Sequence, residues 1–205
     1  MNCYCYYQNI GLEYPEKLMQ RWKTSFESRG FSTQVLELAD AEKHPAYAEL
    51  KQIISEIPTI NGPGFDAACF TRWLAFEKVT PGLFTDYDMI NYSLTPEQVP
   101  TGDMINLNAM CIYATKEGLT EFINRIRNYR LYLHSDTPYL SDLDLFVRSY
   151  TGVTYPLCDC AGLPSEMTKP VVHFGNGYVK PEWRHNNRWL AVDELTQRRT
   201  LFEAT

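Results

Sequence analysis

Strand-prone and helix-prone segments alternate along this chain, and that alternation constrains its fold more than any other feature. Asn2 to Gln8 is aromatic and β-prone. Pro15 then opens a helix in which Leu18, Trp22 and Phe26 recur every four residues until Gly30 stops it. Val35 to Leu38 reads as the next strand, Ala46 to Ile57 as a helix closed by Pro58, and Phe65 to Val79 as a buried helix carrying Arg72. Beyond a short apolar strand at Leu83, Asn106 to Ala114 predicts a core strand, Thr120 to Arg130 and Leu140 to Tyr150 predict helices, and Leu190 to Glu203 predicts a closing helix. Strands interleaved with helices make an α/β layered fold, and 205 residues that are 44% hydrophobic are enough for one domain over 1–205.

The chemistry concentrates in Leu83-Phe84-Thr85-Asp86-Tyr87-Asp88-Met89-Ile90, where an apolar strand gives way to a loop. Carboxylates at i and i+2 leave an extended strand on the same face, so both address one ion. A hard divalent cation held by so few protein ligands keeps positions open for substrate phosphates. Asp-x-Asp alone also marks ordinary solvated turns, so its neighbours decide. Upstream lie the Arg72 helix and Thr80-Pro81-Gly82 as helix stop and turn.

In that order of elements the chain resembles the glycosyltransferases with a DXD sugar-binding region, with Arg72, Gly82, Phe84, Asp86 and Asp88 in the pattern's places. Pro81 stands where that pattern has its first glycine, and the spacing from Arg72 to Asp86 is about one residue longer. A second segment, Val171-Val172-His173-Phe174-Gly175-Asn176-Gly177-Tyr178-Val179-Lys180-Pro181-Glu182-Trp183, resembles the His-Phe-x-Gly-x-x-Lys-Pro-Trp stretch of the glycogenin-like and bacterial galactosyltransferase family. Either one residue is inserted before Gly177 or the glycine has moved to Gly175, and Glu182 separates Pro181 from Trp183. The third segment, Ser141-Asp142-Leu143-Asp144-Leu145-Phe146, is similar to that family's Asp-Gln-Asp-x-Leu-Asn, with Leu143 in place of Gln and Phe146 in place of Asn.

These resemblances imply a GT-A-like, Rossmann-like mixed and mostly parallel sheet, with residues 1–115 as a nucleotide-binding half and 116–205 as an acceptor half that completes the metal site. They imply Asp86, Asp88 and His173 as metal ligands, and Lys180 with Gly177 on the donor diphosphate. They also place Asp86 and Arg72 toward the donor, and Asp142, Asp144 and Arg72 beside the transferred sugar. Adding an imidazole to two carboxylates favours Mn²⁺ over Mg²⁺. Ligands of open sheets gather at strand carboxyl ends, so the first strand delivers Tyr7 and Gln8, and the resemblance puts the nucleotide base there. The implied reaction is metal-dependent sugar transfer to the hydroxyl of a glycan or other acceptor, with retention, from a UDP-sugar in preference to a GDP-sugar. The alternative is a non-catalytic nucleotide-sugar binder descended from such an enzyme.

Other classes fit less well. Met89 and Ile90 after the acids do not match an Asp-x-Asp-x-Thr phosphotransferase, and the Gly-Ser element of a nucleotidyltransferase is missing. The net charge of −6 is dispersed, with no basic block to follow a nucleic-acid backbone. Cys3/Cys5 and Cys158/Cys160 are spaced too closely for usual structural zinc, which predicts reduced thiols. No apolar run is long enough to span a bilayer, and Met1-Asn2-Cys3-Tyr4-Cys5 lacks signal-peptide regions, which predicts a cytoplasmic protein.

Overall fold

The structure, a computed structural model, describes residues 1–11, 15–59, 61–108, 110–136, 138–162, 168–175, 178–184 and 187–203. β1 (Asn2–Tyr6) runs parallel to β2 (Ser32–Leu36) over five registered pairs and parallel to β3 (Gly82–Thr85) on its other side. β6 (Ile112–Ala114) joins β3 antiparallel, and β5 (Met104–Asn106) joins β6 antiparallel, giving the order β2-β1-β3-β6-β5. The expected α/β fold with a mixed sheet is what forms, and its longest ladder is parallel.

A smaller sheet sets up the site. β4 (Met89–Asn91) pairs antiparallel with β8 (Val171–His173), which pairs in parallel with β7 (Cys158–Cys160). β3 and β4 are separated only by Asp86-Tyr87-Asp88, so the Asp-x-Asp run lies where the chain leaves one sheet for the other. The register puts Met89 opposite His173, and the Phe174 amide donates to the Asp88 carbonyl at 2.8 Å. Backbone pairing therefore brings His173 beside Asp88.

Helices cover the central sheet. α1 (Glu16–Glu27) buries Leu18, Met19, Trp22 and Phe26, and the Trp22 indole donates to the Thr85 hydroxyl at 2.8 Å, fixing the end of β3. α2 (Leu38–Glu42) and α3 (Tyr47–Glu56) precede α4 (Pro63–Glu77), which buries Phe70 to Phe76 without a break. A helix apolar on every side belongs in a core. Trp73 of α4 packs against Phe122 of α5 (Lys116–Arg127) at 4.2 Å and Phe146 of α6 (Asp142–Ser149) at 6.1 Å between ring centroids. α7 (Arg188–Glu203) returns across α1, where Arg21 makes a two-bond pair with Asp193. Among the described residues no helix is long and apolar enough to cross a membrane.

Some elements differ from expectation. Asn106 to Ala114 is a hairpin, not one strand: the chain reverses at Asn108, whose φ of 80° an Asn tolerates better than most residues. α4 starts earlier because Pro63 suits a first helical turn, and α5 starts earlier because the Thr115 hydroxyl caps it. The short α2 and β7 are too brief for periodicity to reveal.

Two glycines are set by close approach. A Cβ on Gly82 would meet the Tyr4 ring at 2.6 Å, so the turn glycine of the Asp-x-Asp pattern serves strand packing here. A Cβ on Gly118 would stand 2.0 Å from the Asp103 carbonyl oxygen. Gly118→Ala, which stabilises an unhindered helix by about 1 kcal/mol, is expected to destabilise this protein by about 1–3 kcal/mol. A urea unfolding curve checks the sign.

Candidate metal centre

The two acids and the imidazole, far apart in sequence, meet. His173 Nε2 lies 3.2 Å from Asp88 Oδ1 and 3.8 Å from Asp86 Oδ2. One ligand atom from each of the three residues falls within 4.8 Å of the others. Asp88 is buried and Asp86 and His173 are half-buried, so the group is only partly open to water.

Arg72 braces this group. Its Nη1 donates to Asp86 Oδ1 at 2.6 Å, while Nε and Nη2 donate to Asp142 Oδ2 at 3.0 and 2.6 Å. The Trp73 indole adds a bond to the same oxygen at 2.9 Å. Arg72 and Asp142 are 8% and 3% exposed, so each is largely committed to the other. Asp144 closes a capping box with Ser141 at the start of α6.

The other expected residues lie further out. Tyr7 meets Tyr87 edge-on, with centroids 6.0 Å apart, and the Gln8 side-chain oxygen accepts from the Tyr6 hydroxyl at 2.8 Å. Lys180 is exposed, 3.4 Å from Glu194 and 4.0 Å above the Trp183 ring. Gly177 lies outside the described residues.

Sequence reasoning missed Arg188, the first residue of α7. Its Nη1 donates to Asp88 Oδ2 and Nη2 to the Tyr87 hydroxyl at 3.2 Å, and its guanidinium lies 5.5 Å from the Tyr87 ring centroid. No spacing pattern links residues 100 positions apart, and only the register of β4 with β8 and the return of α7 reveal the pairing. Cys160 was read only as a thiol of a Cys-x-Cys pair; it stands opposite His173 across β7 and β8.

Burial opposes every charge here, and specific partners decide the outcome. Burial alone would raise Asp88, but His173 and Arg188 hold its carboxyl well below the usual range. Asp86 is raised by burial and by Asp88, with Arg72 opposing. Burial would lower His173, yet the Asp88 charge, together with Cys160 and Asp86, pushes it up to about 10.

The group fits a divalent cation. Asp88 Oδ1 is buried and makes no hydrogen bond among the described residues, only the 3.2 Å contact with His173 Nε2, although a buried carboxylate oxygen without a hydrogen bond is costly. That oxygen faces the His173 ring and supplies an open lone pair. Two carboxylates and one imidazole suit Mn²⁺ or Mg²⁺ better than thiophilic ions. Among the described residues this is the one group of three or more His, Cys, Asp or Glu side chains placed to hold an ion, and all six cysteines are free thiols.

Comparison with solved structures gives the fold. The chain matches the galactosyltransferase LgtC, solved in complex with donor and acceptor sugar analogues, over 96% of this chain and 94% of that one. Identity is 14% and the TM-score 0.57. The PaToxG glycosyltransferase matches at 12% identity over 73% of this chain and 68% of its own, with a TM-score of 0.47, too loose to bear on the fold. No family model and no curated protein sequence matches the chain. The architecture is of the GT-A type.

Proposed function

We propose that this protein is a metal-dependent glycosyltransferase that moves a sugar from a nucleoside-diphosphate sugar, a UDP-sugar in preference to a GDP-sugar, to a hydroxyl acceptor with retention. The observation that carries it is the meeting of Asp86, Asp88 and His173 around one point, with Asp88 Oδ1 buried, 3.2 Å from His173 Nε2 and without a hydrogen bond among the described residues. The likeness in fold to a galactosyltransferase supports it.

In such a transfer the bond from the anomeric carbon to the phosphate oxygen breaks, and the acceptor oxygen bonds that carbon from the leaving-group face. A bound divalent cation supplies Lewis-acid stabilisation to the negative charge growing on the departing diphosphate. Asp86, Asp88 and His173 would hold that cation. Arg72 orients Asp86 through a bond on one side while Asp142 fixes it from the other, so the acid is preorganised. Tyr7, at the carboxyl end of β1 and against Tyr87, offers a face to a nucleobase with Gln8 beside it. Lys180, on its flexible stem, would turn from Glu194 to the diphosphate. Asp142 would act on the reaction through Arg72, and Asp144 through the start of α6 that it caps.

A thermal-shift titration with Mn²⁺ plus UDP or GDP tests the site. Ligand at ~100 times its dissociation constant adds about 2.7 kcal/mol, which for a chain of this size raises Tm by roughly 5–10 °C. No metal-dependent shift with either nucleotide would reject the transferase. If nucleotide and metal bind but no donor sugar in a panel is hydrolysed or transferred, the protein is a binder.

A further inference from the structure

Asp88 divides its two oxygens between different jobs. Oδ2 accepts from Arg188, which is 6% exposed and anchored further by the Tyr87 hydroxyl and, at 3.4 Å, the Phe174 carbonyl. Oδ1 is buried, without a hydrogen bond among the described residues, and 3.2 Å from His173 Nε2. The guanidinium thus leaves Asp88 a one-oxygen ligand while lying against it as a permanent positive charge.

The charge balance around the centre follows from these pairs. Three carboxylates, Asp86, Asp88 and Asp142, face two guanidiniums, Arg72 and Arg188, each joined to them by hydrogen bonds. With His173 neutral, as a metal ligand must be, one negative charge is left over. A bare divalent cation over-compensates that charge and is repelled by Arg188 across a single carboxylate, in a setting where burial weakens screening. A diphosphate arriving with the cation more than offsets that excess positive charge and offers the metal anionic oxygens. Without Arg188, the second uncompensated carboxylate would favour the bare ion.

We propose that Arg188 is the resident counter-ion of Asp88 and makes occupation of the cation site conditional on a diphosphate-bearing ligand. It is a positioning residue: it acts through Asp88 and sets how far metal and nucleotide bind together. The inference rests on the metal-dependent transferase reading and names its order of assembly. Because coupling is reciprocal, Mn²⁺ tightens nucleotide diphosphate binding by the same factor as the nucleotide tightens Mn²⁺.

Mn²⁺ binding read from the loss of the free-ion electron paramagnetic resonance signal tests this in wild type, Arg188→Gln and Arg188→Lys, each with and without UDP and GDP. Gln keeps a hydrogen-bond donor for Asp88 without the charge, and Lys keeps the charge; circular dichroism and Tm confirm that each variant is folded. Wild type and Arg188→Lys are expected to bind Mn²⁺ weakly alone and at least tenfold more tightly with one of the nucleotides. Arg188→Gln is expected to bind Mn²⁺ alone at least tenfold more tightly than wild type and to lose most of the nucleotide effect. A folded Arg188→Gln that binds the bare ion as weakly as wild type, or more weakly, overturns the inference while leaving the transferase intact. Wild type that takes up no Mn²⁺ under any condition overturns both.

Discussion

Asp142→Ala is expected to lower the free energy of unfolding by about 3–5 kcal/mol. One Asp142 oxygen accepts two bonds from Arg72 and one from the Trp73 indole, and all three residues are buried. Truncation strips a buried guanidinium of two of its three hydrogen bonds and leaves an indole N–H without an acceptor, both costly in a buried site. Measured against a typical total of roughly 5–15 kcal/mol, that is enough to bring the variant near its folding limit. Asp142→Asn, which keeps an acceptor and loses only the charge, is expected to cost less. Asp144→Ala, which removes half of a helix cap, is expected to cost only about 1 kcal/mol. Urea unfolding of the three variants separates these outcomes. An Asp142→Ala protein as stable as wild type would mean that the brace around Arg72 does not form.

The second large effect falls on catalysis. Asp88→Asn keeps an acceptor for Arg188 and nearly the same shape, but it removes the charge that makes Asp88 a cation ligand. Metal stabilisation of a transition state is worth several kcal/mol, so donor-sugar hydrolysis is expected to fall roughly a thousand-fold. The variant should also lose the Mn²⁺-dependent rise in Tm, and its metal-free Tm is expected to fall because buried Arg188 loses its counter-ion. Measuring nucleoside diphosphate release by wild type and variant at saturating Mn²⁺ checks the first expectation, and the same thermal titration checks the second. Unchanged hydrolysis in Asp88→Asn would place the reaction elsewhere on the molecule.

The parts of this structure that were readable in advance are those governed by local rules. The four-residue recurrence of Leu18, Trp22 and Phe26 gave α1 its buried face, and the unbroken apolar stretch around Trp73 gave a core helix. The Asp86, Asp88 and His173 set was legible because each lies at a strand end marked by a recognisable run. The hairpin at Asn108 was hidden because both arms are apolar and the turn is carried by a single left-handed Asn. The commitment of Asp142 to Arg72 and Trp73 was equally hidden: α6 and α4 pack face to face, 70 residues apart, and no sequence period records that. Arg188 was invisible for the same reason, since its partner is chosen by how α7 returns across the smaller sheet.

Anomalous diffraction from a crystal soaked in Mn²⁺ with UDP or GDP tests the central claim most directly. The expected result is one strong peak within roughly 2.0–2.6 Å of Asp88 Oδ1, an Asp86 oxygen and His173 Nε2, as for oxygen-bound divalent cations. Saturating Mn²⁺ that leaves these three side chains without a peak, or that orders only at other surface carboxylates, would contradict it.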